Sequence, residues 1–113
     1  MHLITNPFRL IDNQGNCFRI RCPENLNSEV SKTVRSEISH GISNDYKIIY
    51  LDVTKVTRVD LSGINEIFHT HYILSQKSIK FMLIYQKDSV LESWIRTTGL
   101  DRFVDTALVL GNQ

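Results

Sequence analysis

The run Lys47-Ile48-Ile49-Tyr50-Leu51-Asp52-Val53 is short and almost continuously apolar. It predicts a central β-strand covered on both faces. A central strand needs hydrogen-bonding neighbours on both edges, and the flanking sequence offers them. Phe8 to Asp12 and Cys17 to Cys22 are strand-like runs separated by the turn cluster Asn13-Gln14-Gly15-Asn16, which predicts an antiparallel hairpin. Pro23 ends the second of these strands. Ile79 to Tyr85 and Val104 to Leu110 read as two further strands.

Between the strands the period changes from two to about 3.6. Asn27 or Ser28 is placed to cap a first helix, in which Val30, Val34 and Ile38 form an i, i+4, i+8 stripe. Gly41 to Asp45 reads as its stop signal. Ser62-Gly63 opens a second helix, with Ile64, Ile67, Phe68, His71 and Leu74 within about 120° of one another. Ser89-Val90-Leu91-Glu92 has capping-box spacing for a third helix, and Gly99 stands where that helix should end. The order β-β-α-β-α-β-α-β implies crossover helices and parallel pairing after the hairpin. The expected fold is therefore α/β, a mixed sheet of four to five strands flanked by helices, in one domain over residues 1–113. A chain of 113 residues can bury such a core without staples.

Charge narrows the functional classes. Thirteen basic and twelve acidic residues nearly cancel and form no block, so the basic stripe expected of a nucleic-acid binder is absent. No stretch approaches the ~18 apolar residues of a membrane helix. Met1 to Pro7 lacks the basic leader and apolar run of a signal peptide. A cytoplasmic protein without direct membrane insertion is expected. Cys17 and Cys22 have no metal-ligand spacing and read as reduced thiols. His69 and His71, at i and i+2, point about 200° apart on a helix and cannot share a metal on one face. His71 reads as a core or boundary histidine, and Trp94 as core or as an interface anchor. No catalytic triad, Walker loop or Gly-x-Gly-x-x-Gly motif is present. Neither an enzyme nor a cofactor or metal site is expected.

The remaining feature is Thr57-Arg58-Val59-Asp60-Leu61-Ser62-Gly63, which joins the central strand to a helix N-terminus. Partners and ligands of open α/β sheets gather at such places. Asp60 and Ser62 also fit a purely structural role as helix caps. Asp52 ends a central strand as the phospho-acceptor of a receiver domain would. However, Cys17 to Cys22 offers no acidic pair and the last strand no lysine.

The segment from Ile48 to Ile64 resembles the core of the STAS family: an apolar strand, a connector with Val56, then an apolar-Asp-x-Ser-Gly turn. Phe81-Met82-Leu83-Ile84 resembles the family's next strand. Trp94-Ile95-Arg96-Thr97-Thr98-Gly99-Leu100-Asp101-Arg102-Phe103 resembles its closing helix and Thr-Gly-Leu ending. The resemblance covers residues 47 to 104 well and agrees in element order before them. It implies a non-enzymatic regulatory module of the anti-sigma factor antagonist type. Its partners would be an anti-sigma factor that is also a serine kinase, and a PP2C-type phosphatase that reverses the phosphorylation. The implied contact residues are Arg58, Asp60, Leu61, Ser62 and Gly63, with Asn65 and Glu66 on the exposed face of the following helix. The family's usual acceptor hydroxyl directly follows the motif aspartate. Here that position is Leu61, leaving Ser62 as the phosphorylation candidate, partly shielded if it caps the helix. A constitutive binder is the expectation. The alternatives are a STAS subunit of a lipid-transport complex or stressosome-like scaffold, and a nucleotide-binding domain. Self-association is left open.

Overall fold

The computed structural model describes residues 9–11 and 16–110. The strands are β1 (Arg9–Ile11), β2 (Cys17–Arg21), β3 (Asn25–Leu26), β4 (Ile48–Asp52), β5 (Arg58–Val59), β6 (Lys80–Gln86) and β7 (Asp105–Val109). The helices are α1 (Ser28–Ser43), α2 (Leu61–Gln76) and α3 (Val90–Thr98), with a 3-10 turn at Leu100–Arg102. Five strands form one sheet in the order β1-β2-β4-β6-β7. β1 runs antiparallel to β2, and the other pairs are parallel. The mixed sheet expected from the hairpin and crossovers is present, with β4 at its centre. The turn Asn13 to Gly15, and the leader reading of Met1 to Pro7, lie outside the described residues.

The three helices share one core. Phe18 and Ile20 from β2, Ile49 and Leu51 from β4, and Phe81 and Leu83 from β6 meet Val34, Ile67, Leu74, Leu91 and Ile95 from the helices. Burying each of these side chains is worth roughly 1.5–3 kcal/mol. Ile48, Tyr50 and Met82, of the opposite parity, are half-buried and fall outside that core. Among the described residues β4 is thus covered fully by the helix layer and in part on its other face, where Ile84 and Asp52 are buried. On the other face Asp52 is buried with Arg19 and Arg21 nearby, their Nε atoms 3.5 and 4.0 Å from Asp52 Oδ2.

Caps set the helix ends. The Asn27 side chain accepts from the Val30 amide at 3.0 Å, and Ser89 accepts from the Glu92 amide at 3.3 Å. Glu92 Oε1 reaches back to the Asp88 amide, one residue before the cap. Gly99 ends α3 at φ +70°, the left-handed region that favours glycine. The stop expected over Gly41 to Asp45 is present, since α1 ends at Ser43 with Asn44 as its C-cap, but Gly41 itself is not the terminating residue. It lies inside α1, buried, and a Cβ there would stand 2.9 Å from Ile49 Cδ1. The glycine admits the sheet, and α1 runs on to Ser43.

Cys22 is buried and Cys17 half-buried, and neither is in a disulfide. Burial first, and the charge of Asp52 second, push the Cys22 thiol up to about 12. The unfolded chain releases that proton near pH 8.5, while the folded chain holds it. This contribution to stability is therefore intact below the unfolded value and is lost as pH rises towards 12. Cys22 is expected to resist iodoacetamide at pH 8 in the native protein while Cys17 is alkylated first. Peptide mapping of the labelled protein checks this, and equal labelling would contradict the burial.

Candidate functional site

The strand-to-helix turn is held from below by a ribbon that no periodicity announced. β3 pairs in parallel with β5, Asn25 opposite Arg58 and Leu26 opposite Val59. The amides of Thr57 and Arg58 both donate to the Glu24 carbonyl, and the Asp60 amide donates to the Leu26 carbonyl at 3.3 Å. Upstream, Asp52 Oδ1 accepts from the Thr54 amide at 2.9 Å and from its hydroxyl at 2.6 Å. With its arginine partners this gives Asp52 a structural role in closing the loop after β4.

Asp60 is the N-cap of α2. Its backbone is extended, and Oδ1 accepts from the Gly63 amide at 3.1 Å. The helix therefore begins at Leu61, one residue earlier than Ser62-Gly63 suggested, and Ser62 is not the cap. The Ser62 side chain is exposed, and its hydroxyl makes no hydrogen bond among the described residues. Its carbonyl is approached by the Ser31 hydroxyl at 3.5 Å. Gly63 is buried because α2 crosses β3 there. A Cβ at this position would lie 2.4 Å from the Leu26 carbonyl oxygen.

Five of the seven expected contact residues are exposed together around this turn: Arg58, Asp60, Leu61, Ser62 and Asn65. Leu61 is 63% exposed, an apolar side chain on the first helical residue with polar neighbours on either side. Glu66 is a correction. The sequence puts it on the exposed face of the helix, yet it is only 3% exposed. Its Oε1 accepts from Arg35 Nη2 of α1 at 2.7 Å, an ion pair between helices. That bond and the charge of Glu66 raise the Arg35 pKa, so the guanidinium stays charged. Ser31 meets Ser62, and Arg35 meets Glu66, one turn later on both helices. α1 and α2 therefore lie side by side and parallel.

The other candidates resolve simply. His69 is exposed, His71 is half-buried, and no cluster of metal-ligating side chains occurs among the described residues. Trp94 is partly buried against the core. No helix among the described residues is long and apolar enough to cross a membrane.

A mixed sheet with one layer of helices, and an exposed Asp-x-Ser-Gly turn opening the second of them, defines a small α/β domain of a recognisable class. The chain belongs to the STAS domain family, whose model matches residues 10–112. Its fold is similar to that of TM1081 from Thermotoga maritima, assigned as an anti-sigma factor antagonist. That crystal structure is 20% identical with a TM-score of 0.72, over 92% of this chain and 85% of that one. It is also similar to SpoIIAA, the Bacillus cell fate determinant and anti-sigma factor antagonist. The unphosphorylated form is 14% identical with a TM-score of 0.66, over 88% and 84% of the two chains. The phosphorylated form is 15% identical with a TM-score of 0.63, over 87% and 85%. At these identities the likeness is one of fold. No curated protein sequence matches the chain.

Proposed function

We propose that this chain is a non-enzymatic, protein-binding regulatory module of the anti-sigma factor antagonist type, acting in the cytoplasm. Its partner is an anti-sigma factor of the serine-kinase kind, and contact is made through Arg58, Asp60, Leu61, Ser62 and Asn65. The observation that carries this reading is Leu61, 63% exposed on a turn held by the β3–β5 ribbon. A large apolar side chain in a polar ring is the usual anatomy of an interface centre. Gly63 and Glu66 support the surface from beneath. Affinity capture on the immobilised chain is expected to recover one kinase-like anti-sigma factor in stoichiometric amount. Recovery of transporter subunits in its place would overturn this partner assignment.

The binder is constitutive in this reading, because the position after Asp60 carries no hydroxyl. Ser62 favours a second reading, since its hydroxyl is exposed rather than engaged in a cap. Geometry still separates the two positions. Neighbouring Cα atoms are ~3.8 Å apart, and successive side chains on a helix are rotated by ~100°. Phosphoryl transfer needs reacting atoms within about 3–3.5 Å. Intact mass after incubation with the partner kinase and ATP is expected to show no phosphate, and Leu61→Ser is expected to gain one. A stoichiometric phosphate on Ser62 of the native chain would establish the switch and remove the constitutive reading.

A further inference from the structure

We infer that the groove between α1 and α2 is a docking site for an acidic, amphipathic helix of a protein partner. This rests on the proposed contact surface at the α2 N-terminus and extends it along the helix. Leu61, Asn65, Phe68 and Tyr72 fall within about 60° of one another on α2, opposite the stripe of Ile67, Thr70 and Leu74 that faces the core. Tyr72 is 57% exposed, and Phe68 is half-buried with its ring edge-on to Phe103, centroids 6.2 Å apart. Tyr72 stands outside the core, whereas Phe68 packs against its edge, and the apolar area that the two leave in water is costly. Asn65, Phe68 and Tyr72 of this stripe form one wall of a groove of about 710 Å³, which Ser62 and His69 also line.

The opposite wall is cationic. Lys32 and Arg35 of α1 line it. Lys32 is exposed and has no ion pair among the described residues. Arg35 is 62% exposed and directs one nitrogen at Glu66. Glu66 is the groove's acidic residue, and its buried carboxylate is closed to a partner: Oε1 is held by Arg35 and Oε2 is sealed from solvent. Because α1 and α2 are parallel, the positive ends of their dipoles lie at the same end of the groove, partly offset there by Asp60 at the cap of α2 and Glu29 in the first turn of α1. The charge that remains for an incoming chain is therefore positive. From Ser62 to Tyr72 the wall is about 15 Å long at ~1.5 Å per residue, which fits three turns of a helix. The occupant that satisfies both walls has an apolar stripe at i, i+3, i+4 and i+7 and carboxylates along one flank.

The test uses the full chain and two synthetic fifteen-residue amphipathic peptides with the same leucine stripe. One carries glutamates along its flank, and the other carries lysines at the same places. By fluorescence anisotropy the glutamate peptide is expected to bind at least ~10-fold more tightly, weakening as salt is raised. Amide shift changes should centre on Lys32, Asn65, Phe68 and Tyr72. Lys32→Glu and Tyr72→Ala, both at exposed positions, should each weaken binding by about 5–10-fold. Equal affinity for the two peptides, shift changes centred elsewhere, or no binding up to about 1 mM would overturn the groove. If the groove fails while Leu61→Asp still abolishes partner capture, the contact surface at the turn stands without its extension.

Discussion

Leu61→Asp is expected to abolish capture of the native partner while leaving the circular dichroism spectrum and thermal melting unchanged. A carboxylate pressed into the apolar centre of an interface is desolvated without a partner. Disrupting a hot spot at an interface centre costs at least about 2 kcal/mol, or about 30-fold in affinity. The folded state has no reason to object. Leu61 is 63% exposed, so little core packing is lost. A negative charge on the first turn of α2 also favours the helix dipole by about 0.3–1 kcal/mol. The melting temperature should therefore stay level or rise slightly, and Leu61→Ala should give an intermediate loss of capture. A lowered melting temperature for Leu61→Asp would place the residue in the core and remove it from the contact surface.

Gly63→Ala is expected to be the most damaging small substitution in the chain. The added Cβ would lie 2.4 Å from the Leu26 carbonyl oxygen and 2.7 Å from Leu26 Cγ. The oxygen belongs to the backbone of β3, which is pinned to β5, so it cannot swing aside as a long side chain would. Overpacking of this kind costs about 1–3 kcal/mol. The upper end applies here, on the order of 10 °C in melting temperature. Partner affinity should fall along with stability, because splaying α2 from β3 moves Asp60 and Leu61. Thermal melting of the purified variant measures the effect. An unchanged melting temperature would mean that α2 does not cross β3 at this distance.

The large elements were legible because their periods are local. The stripe Val30, Val34, Ile38 and the run Ile48 to Val53 carry their own signatures, as do Asn27, Ser89 and Gly99 at helix ends. What escaped was set by partners far along the chain. β3 and β5 are two residues each, too short to show a period, and exist because each completes the other. Glu66 looks like a solvated helix residue until Arg35, thirty-one positions earlier, is placed against it. Gly41 and Gly63 look like punctuation in the sequence, one near the close of a helix and one at the opening of another. Their actual reason is the close approach of Ile49 and Leu26. Of the two cap candidates in the turn, Asp60 proves to be the cap of α2 and Ser62 does not, since the helix starts at Leu61.

The β3–β5 ribbon has a consequence for the tempo of recognition. Two backbone bonds to Glu24 and one to Leu26 hold the segment from Thr57 to Asp60 in the shape in which it is offered. A loop already fixed has little conformational entropy left to lose on docking, a loss that otherwise runs to about 1–2 kcal/mol per backbone residue. Affinity gained in this way extends the lifetime of a complex more than it speeds encounter. In the proposed complex the turn therefore favours slow release. Amide exchange at Thr57, Arg58 and Asp60 should report the opening of the ribbon rather than the fraying of a surface loop.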